Sequence, residues 1–119
     1  MAKDYIQTDI TSVQQSVEQA NGLANAHYID PAVFAEESEA VLKATWAGLA
    51  VGADVPNPGD AKPIQFLGMP LLLIRDKDGD LRVFENICRH RGMQLVHEAK
   101  TIEGAIRCPY HSWCYSTKG

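Results

Sequence analysis

Apolar positions change their period about halfway along the chain. In residues 8–22, TDITSVQQSVEQANG, Ile10, Val13, Val17 and Ala20 recur near one helical face, Asp9 or Thr11 is placed to cap it, and Gly22 to end it. The stretch DPAVFAEESEAVLKA, 30–44, predicts a second helix. Asp30 is a natural N-cap, Pro31 suits the first helical position, and Glu36 and Glu37 lie early, where the helix dipole favours anions. Phe34, Val41 and Leu42 fall at helical spacing, and the face at Phe34 and Val41 is expected in the core. Gly48 and Gly52 argue against continuation, so ATWAGLAVGADV reads as a helix end passing into a strand.

Beyond the PNPGDAK turn the period becomes that of strands. PIQFLG, MPLLLIRD and DLRVFEN read as three strands, the last two joined by a DKDG turn with Gly79 at a position that needs positive φ. LLLI is expected in the core. GAIRC and WCYST predict two further short strands. Helices followed by successive short strands define an α+β chain, with a helical segment over residues 1–43 and an antiparallel β domain over 44–119.

Composition narrows the picture by exclusion. With 119 residues, 45% hydrophobic and 22% charged, there is room for one domain and not two full ones. A net charge of −4 gives no clustered basic footprint for nucleic acid. No apolar run approaches the roughly 18–20 residues of a membrane helix. MAKDYIQTDI lacks the apolar core of a secretory signal, so a cytoplasmic protein is expected.

The three cysteines, Cys88, Cys108 and Cys114, are an odd number, against a disulfide framework. Two of them have histidine neighbours. CRHRG places Cys88 two positions before His90, and CPYHSW places Cys108 three before His111. Both pairs follow predicted strands, so two loops are expected to meet at one end of a sheet. A tetrahedral zinc ion accepts two thiolates and two imidazoles, although zinc fingers usually group like ligands together. The other reading is a Rieske-type 2Fe–2S cluster, in which histidines replace cysteines on one iron and each mixed loop serves both irons. Neutral imidazoles in place of thiolates make reduction easier, raising the potential to about −150 to +300 mV from about −400 mV in all-cysteine plant-type ferredoxins.

CRHRG and CPYHSW at this separation, with YIDPAVFAEESEAVL, PNPGD and GMPLLLIRDKDGDLRVFENICRHRG before them, resemble the N-terminal Rieske domain of ring-hydroxylating non-haem iron oxygenases, large (α) subunit. The resemblance covers about residues 28–119. It implies that Cys88 and Cys108 hold the inner iron and His90 and His111 the outer, with His111 as the exit for the electron. It implies a reductase or ferredoxin as donor and a homo-oligomer, a trimer of α subunits, in the intact protein. It places the mononuclear Fe(II), bound by two histidines and a carboxylate, in a catalytic domain beyond these residues. His27 and His97 are then non-ligands, and the β domain is C-terminally truncated, its open strand edges making the chain marginal or prone to associate.

Around the ligands, Arg89 and Arg91 are expected to favour a reduced, more negative cluster or to pair with carboxylates of a partner. Gly92 is expected to turn its loop and bring its N–H toward a cluster sulfur. Pro109 would stiffen the second loop, Tyr110 shield or hydrogen-bond the cluster region, and Trp113 pack over the loops or against a neighbouring subunit. Two departures stand out: Ser112 occupies a position usually held by glycine, a change expected to be tolerated, and Cys114 is an extra thiol, read as free. The first loop has no second cysteine with which to form the disulfide of high-potential respiratory Rieske proteins, which places the potential in the lower half of the range. The competing readings are a stand-alone Rieske ferredoxin, disfavoured by the helical extension, and a zinc-stabilised interaction domain.

Overall fold

The computed structural model describes residues 10–119, which divide into two compact units, the first ending at Ala47 and the second spanning Gly48–Gly119.

In the first unit the helix expected over 8–22 does not form. Thr8 and Asp9 lie outside the described residues, and residues 10–20 make two separate turns, with Val13 and Gln14 N–H donating to the Ile10 carbonyl and Gln19 and Ala20 N–H to that of Ser16. Polar side chains compete for the backbone here; Gln15 Nε2 donates to the Thr11 carbonyl at 3.0 Å. Val17 is 92% exposed, so the stripe buries nothing that would offset the entropy of ordering a helix.

A single turn, α1 (Ala26–Ile29), leads into α2 (Pro31–Glu37). Asp30 caps α2 as expected, its carboxylate accepting from the Ala32 N–H at 2.8 Å. The helix then widens into a π turn over Ser38–Leu42, where Lys43 N–H reaches back five residues to the Ser38 carbonyl. Widening shifts the register of side chains around the axis. Ser38 becomes the buried residue, its hydroxyl donating to the Phe34 carbonyl, while Phe34 and Val41, expected in the core, are 56% and 49% exposed.

The strand expected within ATWAGLAVGADV is also absent. Residues 47–51 pair with no strand, and Gly52–Asp54 forms a 3₁₀ turn in which the Asp54 carboxylate accepts from the Val51 N–H.

The second unit contains β1 (Asp60–Phe66), β2 (Met69–Arg75), β3 (Leu81–Glu85), β4 (Lys100–Thr101), β5 (Ile106–Arg107) and β6 (Cys114–Tyr115). The first four form an antiparallel sheet in the order β3-β2-β1-β4; β5 and β6 form a two-stranded ribbon. β1 begins three residues earlier than PIQFLG suggests, because β4 pairs with Asp60 and Ala61. That pairing ends before Pro63, so the proline, which has no N–H to give, sits where the outer side of β1 is open.

The DKDG turn forms with Gly79 at φ +93. Its centre is Asp76, buried at the end of β2, whose carboxylate accepts from the N–H groups of Asp78 and Asp80 and from Arg82 Nε at 2.6 Å. Leu71 to Ile74 are buried on both faces of β2. Leu72 and Ile74 enter a core with Ala61, Leu95, Val96, Ile106 and both Cys88 and Cys108, against which Phe84, Ile102 and Tyr115 pack.

Candidate metal centre

The two cysteine–histidine loops share one backbone design. Ile87 bridges Gln94 around the first, and Arg107 pairs with Cys114 around the second, so each encloses six residues, CRHRGM and CPYHSW. In each, the cysteine N–H donates to the carbonyl five residues on, Cys88 to Met93 at 2.7 Å and Cys108 to Trp113 at 2.8 Å. In each, the cysteine carbonyl accepts from the N–H four residues on, Gly92 at 2.9 Å and Ser112 at 3.0 Å. Both fourth residues are left-handed, Gly92 at φ +72 and Ser112 at φ +60.

Asn86 fixes the neck of the first loop. It is fully buried, its side-chain amide donates to the Val96 carbonyl at 2.7 Å, and its side-chain oxygen accepts from the Val96 N–H at 2.9 Å. The two ends of the loop are thus held together by a side chain acting as a short strand partner. Nothing in the strand pattern around RVFEN singles it out.

The loops meet at their tips. The His90 and His111 rings lie 4.9 Å apart, edge to face. Trp113, from the second loop, stacks on His90, from the first, at 4.8 Å with planes 7° apart. Tyr110 lies over His111 at 3.8 Å. Burial separates the donors by element: Cys88 and Cys108 are each 2% exposed, while both histidines are exposed.

The residue that reaches the sulfur is Tyr115, which sequence reasoning did not select. Its hydroxyl lies 3.0 Å from Cys88 Sγ and accepts from the Arg89 N–H at 3.0 Å. The Tyr115 bond, helped by the N–H groups of His90 and Arg91 and by Cys108, pulls the Cys88 thiol below its ordinary pKa; the same contact and burial push the Tyr115 phenol up. Tyr110, expected to shield or hydrogen-bond the cluster region, is 56% exposed and lies against His111. The Gly92 N–H donates to the Cys88 carbonyl. A sequence signal for Tyr115 did exist: in a strand, side chains alternate, so one neighbour in the pair Cys114–Tyr115 must face the core. Tyr115 faces it, and Cys114 is exposed with its thiol donating to the Ser112 carbonyl at 3.3 Å.

Arg89 and Arg91 are exposed on the first loop. His97 is exposed beyond that loop, and His27 belongs to the first unit.

This arrangement suits a centre with two distinct ends, one lined by buried thiolates and the other by exposed imidazoles. Among the described residues, no three His, Cys, Asp or Glu side chains converge on a point where a single ion would sit. A two-iron centre requires only two protein donors per iron, and the thiol depressed by hydrogen bonds is already disposed to bind as thiolate.

Fold and loops together define a two-loop iron–sulfur domain. The family described as Rieske [2Fe-2S] domain matches residues 45–119, and the chain belongs to it. It is 32% identical over 99 residues to the glycine betaine monooxygenase oxygenase subunit of Chromohalobacter salexigens, covering 83% of this chain and 22% of that one. It is 35% identical over 92 residues to the carnitine monooxygenase oxygenase subunit of Acinetobacter pittii, covering 77% and 25%. Among solved structures, the apo form of a quaternary ammonium Rieske monooxygenase matches with a TM-score of 0.75 and 33% identity, over 84% of this chain and 29% of that one. Naphthalene 1,2-dioxygenase from Rhodococcus sp. matches with a TM-score of 0.72 and 35% identity, over 82% and 22%. The chain thus spans about a quarter of the length of these relatives. Its cofactor is the Rieske 2Fe–2S cluster. No helix among the described residues is long and apolar enough to cross a membrane.

Proposed function

We propose that Cys88 and Cys108 bind the inner iron and His90 and His111 the outer iron of the 2Fe–2S cluster, in a domain that relays single electrons within a Rieske oxygenase α subunit. The observation that carries this reading is the sorting of donors by depth, with both thiols in the core and both imidazoles at the surface. When bound, such a cluster takes up and gives back one electron at a potential higher than an all-thiolate centre. The residues supply the rest. The core around Cys88 and Cys108 keeps water from the thiolate end. Tyr115 and the N–H groups of His90 and Arg91 offset negative charge on Cys88. The histidines, exposed and 4.9 Å apart, give the electron a short path to a partner.

The relatives are named as oxygenase subunits, which supports placing this domain, residues 44–119 with a helical segment over 1–43, ahead of a catalytic domain that carries a mononuclear iron. A reductase or ferredoxin would then feed it, in a cytoplasmic homo-oligomer.

The test is spectroscopic. Anaerobically reconstituted chain is expected to be brown, to contain two irons and two acid-labile sulfides, and to give a Rieske-type electron paramagnetic resonance signal on reduction. Cys88→Ser and Cys108→Ser are expected to abolish it, and a colourless, zinc-binding product would overturn the reading.

A further inference from the structure

The two cysteine loops are closed by unequal means. Behind the second stands a ribbon in which Arg107 pairs with Cys114 and Ile106 with Tyr115. Behind the first, Ile87 bridges Gln94, and the next bond, from the Leu95 N–H to the Asn86 carbonyl, is long at 3.4 Å. A side chain makes up the difference. Asn86 Nδ2 donates to the Val96 carbonyl at 2.7 Å and Oδ1 accepts from the Val96 N–H at 2.9 Å, the pair of bonds that a strand neighbour would make. The Asn86 N–H donates to the Pro70 carbonyl in β2 at 2.8 Å, so the chain returning from the loop is tied through Asn86 to the sheet. Asn86 and Val96 are buried, and a bond lost there is not replaced by water. Residues 86–88 alternate, with Asn86 and Cys88 inward and Ile87 outward, and Leu95 and Val96 pack in the same core as Cys88.

We propose that Asn86 is the positioning residue of the first loop: its amide, latched to Val96, holds Cys88 in the core and fixes the direction in which the loop presents His90, and the cluster opens from this loop when the latch is lost. The proposal rests on the ligand assignment given above. An amide suits the task because it offers a donor and an acceptor together and, being neutral, adds no charge beside the thiolates. Leucine has a similar size and offers neither. Without the amide, the Val96 N–H and carbonyl have lost a buried partner each, and the returning segment relieves this by moving out to water. Cys88 and His90 sit on the loop that this segment closes. The second loop keeps its backbone ribbon and its shape. Opening of one segment ahead of the rest is the expected consequence.

Two measurements test this. In the iron-free chain carrying Cys114→Ser, so that the two buried thiols alone are read, alkylation by a maleimide is followed by mass spectrometry at Cys88 and Cys108 separately. Asn86→Leu is expected to raise the Cys88 rate relative to that of Cys108 at least about tenfold, because the first loop opens by itself. Val55→Ala empties buried space outside the cysteine core and lowers stability in general; it is expected to change that ratio less than about twofold. In the iron-loaded chain, pulsed electron paramagnetic resonance of the reduced cluster reads the two histidine nitrogens. There Asn86→Leu is expected to shift or broaden one coupling and leave the other, and to quicken iron loss to a chelator several-fold. If the variant takes up no iron, the ratio of cysteine rates decides alone. An unchanged ratio, an equal rise at both cysteines, or two nitrogen couplings that shift together would overturn the proposal. A parent chain that never takes up iron and sulfide overturns the functional reading itself, whereas a parent that loads normally and an Asn86→Leu variant that matches it overturn this role of Asn86 alone.

Discussion

Gly92 and Ser112 hold the same position in two loops of one design, each giving its N–H to the carbonyl of a buried cysteine four residues earlier and each turning through positive φ. Glycine takes that conformation without cost, whereas a residue with a Cβ gives up roughly 1–2 kcal/mol. Ser112→Gly should therefore stabilise the second unit, by about 0.5–1 kcal/mol after the extra freedom of glycine in the unfolded chain is set against it. Gly92→Ala should destabilise it by about 1 kcal/mol or more. The midpoint of urea unfolding, at unchanged slope, measures both. Equal midpoints for Ser112→Gly and the parent chain would mean the loop holds its shape without strain.

Tyr115 is placed to tune the electron affinity of the proposed site, its hydroxyl 3.0 Å from Cys88 Sγ. Because its oxygen already accepts from the Arg89 N–H, its own proton is free to point at Cys88 Sγ. A hydrogen bond to sulfur favours the more negative, reduced state. Tyr115→Phe keeps the packing and removes the bond, so the potential should fall, by tens of millivolts; a tenfold change in a one-electron equilibrium corresponds to about 59 mV. Square-wave voltammetry of the two loaded proteins gives the difference directly. An unchanged or higher potential would remove Tyr115 from the account.

Trp113 closes its own loop, its carbonyl accepting from the Cys108 N–H, and joins that loop to the first by its ring on His90. Trp113→Phe retains a flat ring and should leave the spectrum of the reduced cluster close to that of the parent. Trp113→Ala frees His90 to rotate, so the resonance lines should broaden and iron loss to a chelator should quicken several-fold. Equal line shapes and equal loss rates in both variants would make the stack incidental.

What was readable in the sequence follows from which signals are local. The meeting of the CRHRG and CPYHSW loops declares itself by their place after strands, the LLLI strand by its unbroken apolar run, and the DKDG turn by Gly79. The helix cap at Asp30 was readable for the same reason. What escaped depends on the partner across space. The stripe from Ile10 to Ala20 has helical period but its Val17 stays exposed, and Phe34 and Val41, at helical spacing, are exposed while Ser38 between them is buried. β4 is two residues long and exists because β1 accepts it. The contacts of Asn86 and Tyr115 likewise join residues 10 and 27 positions apart, beyond the reach of any local pattern.

Asp76 makes the fold sensitive to acid. Arg82, followed by the N–H groups of Asp80 and Asp78, holds its carboxyl below the ordinary aspartate range despite burial, which acts in the opposite sense. A carboxyl whose folded pKa is depressed binds protons less readily folded than unfolded. Its contribution to stability is therefore complete above the unfolded value, about 3.9, and is lost as pH falls through the lower folded value. Urea midpoints measured from pH 7 to pH 3 should be flat near neutrality and drop below about pH 4. Asp76→Asn keeps the shape and one oxygen for the two N–H groups but loses both the charge and the acceptor opposite Arg82. It should be less stable than the parent at pH 7, with the gap closing toward pH 3. No gap at pH 7, or one that stayed constant across that range, would show that ionisation of the carboxyl does not set the stability, and the β2–β3 turn would then need another explanation for its hold on the edge of the sheet from which the first cysteine loop springs.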